Sequence, residues 1–196
     1  MKALVERIKV AGVSIGGGII KVDEFLNHQV DPGLMMDIGQ ELVLRFGERG
    51  LNEATKVVTP ESSGICPAFC VAYILQVPLI YARKRQPVTM SSGFWLTKAP
   101  SRTKGGTVKL MISREYLGIY DHVLVVDDWL ASGATISALV QSVLMSRAEL
   151  LGIGCVIEKV YEPGRERLAR LVDVPIISLA RVDLDGDRLV VQGGTY

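Results

Sequence analysis

Apolar and polar positions follow two periods along this chain. Residues 3–11 place apolar side chains at helical spacing with charges between them, which predicts a short amphipathic helix. Gly16, Gly17 and Gly18 interrupt that pattern before a short apolar strand at 19–22. Asp31-Pro32 reads as an N-cap followed by the first residue of a helix. Leu34, Ile38, Leu42 and Phe46 then recur every four residues and predict one buried face, ending near 47–50. Strands and helices alternate from there. Strands are expected at 56–59, 78–83, 108–113, 122–127, 150–158 and 176–180, and helices at 64–75, 133–147 and 164–171. Several of these strands are apolar at consecutive positions, as in Val123-Leu124-Val125-Val126. Such runs predict an α/β fold whose central, mainly parallel sheet is covered by helices on both faces. Residues 182–192 alternate around Asp185-Gly186 and predict a terminal hairpin. Only 84–107 lacks a clear period, and an unstructured loop that long is usually functional.

Composition narrows the picture. With 196 residues the chain is one domain's worth, and 48% hydrophobic against 22% charged residues excludes disorder as its main state. A net charge of +1 argues against a general nucleic-acid binder. No apolar run reaches the ~18 residues of a membrane span, and the N-terminal pattern is not that of a signal peptide. Cys66, Cys70 and Cys155 read as small core residues, consistent with a reducing, cytoplasmic location. His28 and His122 have no ligand spacing and read as structural. Charge is uneven locally: the 84–107 segment holds Lys84, Arg85, Lys98, Arg102 and Lys104 and no acidic residue, which suits an anion.

The chemistry concentrates in residues 123–135. An apolar strand ends in Asp127 and Asp128, and a small-residue turn, Ala131-Ser132-Gly133-Ala134-Thr135, leads into a helix. Strand C-termini of a parallel sheet open onto the ligand crevice, and a helix start offers free N–H groups to an anion. Two carboxylates would repel that anion, so they must address another part of the same ligand, such as hydroxyl donors or a divalent cation. A sugar phosphate satisfies both halves.

Asp127-Asp128-x-x-x-Ser132-Gly133-x-Thr135 after four apolar residues resembles the phosphoribosyl pyrophosphate (PRPP) motif of type I phosphoribosyltransferases. Residues 26–32, Glu61-Ser62-Ser63-Gly64-Ile65, Ala82-Arg83-Lys84, Val156-Ile157-Glu158-Lys159 and Pro163-Gly164-Arg165 are similar to the xanthine-specific branch of that family. The resemblance covers about 1–181 and thins in 87–106 and after 181.

The resemblance implies a single phosphoribosyltransferase domain over 1–196. A small hood would come from about 1–30 plus 176–196, and a flexible lid from about 84–107. It implies transfer of a phosphoribosyl group from PRPP to xanthine, with Mg²⁺ held mainly through PRPP oxygens and no direct protein metal site. A cytoplasmic homodimer in purine salvage is implied, with no nucleic-acid or membrane partner. The catalytic set would be Asp127, Asp128, Arg83 and Lys84. PRPP would be bound by Ala131, Ser132, Gly133, Ala134 and Thr135 and by Glu61, Ser62, Ser63 and Gly64. Xanthine would be bound by Ile20, Asn27 and Lys159, the last donating to a carbonyl oxygen and disfavouring adenine. Transfer to guanine or hypoxanthine is an alternative. So is a purine-sensing regulator without turnover, which the near-zero net charge disfavours.

Overall fold

The structure is a computed structural model and describes residues 1–90, 93–100 and 106–195. It opens with α1 (Lys2–Ala11), a small antiparallel pair β1 (Val13–Ser14) and β2 (Ile20–Lys21), and a π-helical turn at Asp23–Asn27. Then follow α2 (Pro32–Gly47), β3 (Lys56–Pro60), α3 (Ile65–Leu75), β4 (Leu79–Ala82), β5 (Phe94–Pro100) and β6 (Thr107–Ser113). The chain continues through β7 (His122–Leu130), α4 (Ala134–Ser146), β8 (Glu149–Lys159), α5 (Gly164–Ala169), β9 (Ile176–Asp185) and β10 (Arg188–Gly193). The main sheet has six strands in the order β10-β9-β8-β7-β3-β4, all parallel except the β10 edge.

The consecutive apolar residues of the strands divide between the two faces, as expected. Leu124, Val126, Val156 and Leu179 pack with the side chains of α1, α2 and α3. Val123, Val125, Ile153 and Cys155 pack with those of α4, Leu168 of α5 and the β5–β6 hairpin. Helix α2 starts where the sequence places it: the Asp31 carboxylate accepts a hydrogen bond from Leu34 N at 3.1 Å. Ile38, Leu42 and Phe46 are fully buried on its inner face. The Phe46 ring lies against Gly152 and Gly154 of β8, where no side chain intervenes. Arg45 shares that inner face and is 4% exposed. It bonds Glu41 through Nε and Nη2 (2.9 and 2.7 Å) and the carbonyls of Ser178 and Thr195 through Nη1 (3.1 and 3.3 Å).

Several expectations change. The 84–107 segment is not one loop, because β5 lies within it and pairs antiparallel with β6 from Phe94↔Ser113 to Pro100↔Thr107. Its inward positions are Thr97 and Ala99, too polar and too small to register as a strand's apolar face. The hairpin is docked on α4, where Thr97 Oγ1 and Ser142 Oγ share a buried hydrogen bond of 3.1 Å. Arg102 and Lys104 of the basic segment lie outside the described residues. Strand β7 runs three residues beyond Asp127, so both carboxylates sit within a paired strand. The expected strand at 176–180 and the first arm of the terminal hairpin form one continuous β9, and the turn falls at Gly186-Asp187, one residue later than expected.

Candidate active site

Parallel pairing of β3 with β7 brings their C-terminal ends side by side. β3 runs into the 61–64 turn and α3, and β7 into the 131–133 turn and α4. Between them lies a cavity of about 250 Å³. Glu61, Ser62, Ser63, Gly64, Lys84, Asp127, Asp128 and Thr135 all line it, so most of the predicted PRPP set converges. Ala99 and Pro100 of β5 and Val108 and Leu110 of β6 form the facing wall.

The acid pair is almost wholly buried, Asp127 at 5% and Asp128 at 9% exposure. Asp127 Oδ1 accepts from Asp128 N (2.9 Å), and Asp128 Oδ1 accepts from Trp129 N (3.0 Å). Burial, reinforced by the neighbouring Asp128 charge, pushes the Asp127 carboxyl well above the usual carboxylate range. Burial also raises Asp128, against the opposing pull of the hydrogen bonds it shares with Asp127 and Trp129. Lys84 draws both down weakly. The pair is therefore poised to accept positive charge or hydroxyl donors from a ligand. Gly64 is required beside it, because a Cβ there would lie 2.6 Å from Asp127 Oδ1 and overlap Thr59 Oγ1. Glu61 Oε2 accepts from Lys84 N (2.9 Å), which ties the two basic and acidic turns together.

Gly133 begins α4 in the left-handed region, at φ 73°, which favours glycine. Ala131, Ser132 and Gly133 form the turn just past the end of β7, and neither they nor Ala134, the first residue of α4, line the cavity that holds the acid pair. Ala134 faces a neighbouring cavity between α4, α5 and β5 instead of the one holding the acid pair. Arg83 also points elsewhere. Its guanidinium lies 5.4 Å from the Tyr81 ring centre, and its Nε is 4.0 Å from Glu61.

The expected base-binding residues, Ile20, Asn27 and Lys159, do not line that cavity. Lys159, 8% exposed, closes β8; its Nζ donates to the Gly18 carbonyl at 2.8 Å and lies 3.9 Å from Glu162. Tyr161 Oη donates to the same carbonyl at 2.9 Å. The Lys159 ammonium sits 5.2 Å from the Trp129 ring centre. Ile20 is buried in the core cluster against which Trp129 packs. Asn27 ends the π-helical turn, exposed. Trp129 and Tyr161 were not singled out from the sequence. The signal for Trp129 was available: it follows the acid pair on β7 and pairs with Ile157, two residues before Lys159.

Comparison with known proteins decides the family. The phosphoribosyl transferase domain description matches residues 37–174, more than half the chain. The chain belongs to the phosphoribosyltransferase family. Within it, the chain is 47% identical to the xanthine phosphoribosyltransferase of Deinococcus deserti, over 99% of this chain and 100% of that one. It is 44% identical to the enzyme of that name from Geobacillus thermodenitrificans, over 93% and 92%. Among solved structures, adenine phosphoribosyltransferase from Rhodothermus marinus superposes with a TM-score of 0.73 at 24% identity, over 94% of this chain and 100% of that chain. The enzyme from Trypanosoma brucei gives 0.74 at 17%, over 94% and 82%. These two likenesses bear on the fold, which is that of the type I phosphoribosyltransferases.

No helix among the described residues is long and apolar enough to cross a membrane. All three cysteines are free, and burial pushes the Cys155 thiol well up, so it stays a neutral core side chain.

Proposed function

We propose that the protein transfers the 5-phosphoribosyl group of PRPP to xanthine, giving xanthosine 5′-monophosphate and pyrophosphate in purine salvage. The observation that carries this reading is the buried Asp127-Asp128 pair facing the 61–64 turn and Lys84, in a chain 47% identical to a xanthine phosphoribosyltransferase. The 131–135 turn holds the 5′-phosphate with N–H groups and the Ser132 and Thr135 hydroxyls. Asp127 and Asp128 accept the ribose hydroxyls and stabilise positive charge on the sugar carbon as its bond to pyrophosphate breaks. The 61–64 turn receives the pyrophosphate, and Lys84 neutralises it. Arg83 joins Lys84 once its side chain leaves Tyr81.

Among the described residues no three His, Cys, Asp or Glu side chains converge as a metal cage. The oxygen donors present suit Mg²⁺ held chiefly by the substrate, with Glu61, Asp127 and Asp128 as the carboxylates that line the cavity. Bound there, Mg²⁺ would offset pyrophosphate charge. The β5–β6 hairpin excludes water.

Lys159 donates to an oxopurine carbonyl, Ile20 packs on the base and Asn27 bonds its polar edge. Product formation with xanthine, guanine, hypoxanthine and adenine tested separately is expected to favour xanthine. Preference for another base would overturn this pocket assignment. No turnover with any base, from folded protein that binds PRPP, would favour the regulator reading. Lys159→Met is expected to lower kcat/KM for xanthine by about 3–10-fold, the net worth of exchanging the Gly18 carbonyl for a base oxygen; an unchanged value would remove Lys159 from the base site.

A cytoplasmic homodimer goes with this reading. Exposed aromatic residues support an interface: Phe69 and Tyr73 stack at 6.3 Å on α3, and Tyr81 lies on the β4 edge. Size measurement at micromolar concentration should give twice the chain mass, and a monomer would refute the dimer.

A further inference from the structure

Gly164 opens α5 directly against the 131–133 turn. A Cβ on Gly133 would lie 2.8 Å from the Gly164 carbonyl oxygen and 2.9 Å from its Cα; one on Gly164 would overlap the Ala131 carbonyl. Backbone meets backbone, so the place of residue 164 sets the place of the turn. Helix α5 has only six residues, too few to hold a position by its own hydrogen bonds. It must be anchored from outside.

Arg165 supplies that anchor. Its Nε and Nη2 each bond a Glu158 oxygen at 2.7 Å, and its Nη1 donates to the Ile176 carbonyl at 2.8 Å. Nη2 also reaches Thr195 Oγ1 at 2.6 Å. Ser178 Oγ donates to Glu158 Oε2 (2.7 Å) and shares a hydrogen bond with Thr195 Oγ1 (3.0 Å). Glu158 is 3% exposed and belongs to β8; Ile176 and Ser178 belong to β9. A fork this fully engaged fixes direction as well as distance, which a lysine would not.

We infer that Arg165 is a positioning residue for the turn assigned to the 5′-phosphate: clamped by Glu158, Ser178 and Thr195, it holds Gly164 against residues 131–133. This rests on the proposed PRPP-dependent transfer. The 5′-phosphate is remote from the bond that breaks, so loosening the turn weakens substrate and transition state alike. KM for PRPP rises while kcat holds.

Steady-state kinetics of the full chain test it. Arg165→Lys is expected to raise KM for PRPP about tenfold, with kcat and KM for the base within about twofold. Thr195→Val should raise KM for PRPP about threefold, and Thr195→Ser should restore it. Gly164→Ala should raise it more. The Gly164→Ala, Arg165→Lys double variant should then match Gly164→Ala within about twofold, because both act on one contact. A lowered melting temperature with unchanged KM for PRPP would make Arg165 merely structural and overturn the inference. If Arg165→Lys does not fold, the Val and Ser variants of Thr195 decide. If the wild type turns over no base, the proposed function fails separately, and calorimetric PRPP affinity replaces KM in the same comparison.

Discussion

Replacing Asp127 and Asp128 together with Asn is expected to lower kcat by about 10²–10³-fold or more and, at neutral pH, to raise the melting temperature of the ligand-free protein. On the proposed roles, the loss of rate follows from removing the charge that would face the developing cation on the sugar; a single such stabilising group is commonly worth that factor. The gain in stability follows from burial. Both carboxyls titrate above the usual carboxylate range in the folded chain. An acid with a raised folded pKa contributes fully below its unfolded value, near ~4, and that contribution is lost as pH rises through the folded value. At pH 7 the folded wild type therefore bears either an unfavourable buried charge or the cost of the proton uptake that neutralises it, and Asn bears neither. Relief of roughly 2 kcal/mol corresponds to about 4–8 °C at this chain length. The gain should shrink as the pH is lowered toward 4. Paired thermal melts and turnover assays check both halves. Wild-type-like turnover would overturn the ribose assignment, and a lower melting temperature at pH 7 would overturn the burial argument.

The opposite sign holds at Glu158. Burial alone would raise this carboxyl, but hydrogen bonds from Arg165 and Ser178 and the charges of Arg165 and Arg181 outweigh it and hold it below the usual range. Its contribution is present above the unfolded value of ~4.3 and is lost as pH falls through the folded value. Glu158→Ala strands Arg165, brings it against Arg181 without a counter-charge, and leaves Ser178 Oγ short of an acceptor. A loss of about 3–5 kcal/mol is expected, as when one partner of a buried ion pair is removed. Denaturant titration at pH 7 measures it. The same titration at acid pH should show a smaller difference, because the wild type has then lost the interaction too. A variant as stable as wild type at pH 7 would refute the role of Glu158 as the counter-charge that holds Arg165.

Legibility in the sequence followed the strength of the local signal. The alternation of apolar strands and helices gave the parallel sheet because both faces of β7 and β8 are buried, leaving unbroken apolar runs. The Asp31 cap and the Ile38-Leu42-Phe46 face were equally plain, each being set by neighbours in sequence. The convergence of the 61–64 turn, Lys84 and Asp127-Asp128 in one cavity bears on motifs read independently along the chain. What escaped depends on contacts distant in sequence. Strand β5 hid because its inward residues are Thr97 and Ala99, whose burial comes from α4 and not from hydrophobicity. The Trp129, Lys159 and Gly18 grouping joins three separate segments. The outward turn of Arg83 onto Tyr81 is a rotamer choice that no spacing encodes.

On the proposed assignment of Lys159 to the base, the Gly18 carbonyl that it and Tyr161 hold would limit how choosy the pocket can be. A substrate oxygen that takes its place exchanges one acceptor for another, so recognition is a swap and not a new bond. A base offering no oxygen leaves the ammonium with its backbone partner instead of stranded. Rejection of a wrong base then falls well short of the ~10⁴-fold reached when a buried donor is orphaned. The loop that supplies this oxygen would then act as a built-in competitor, setting both the affinity for the right base and the ceiling on discrimination against the wrong one.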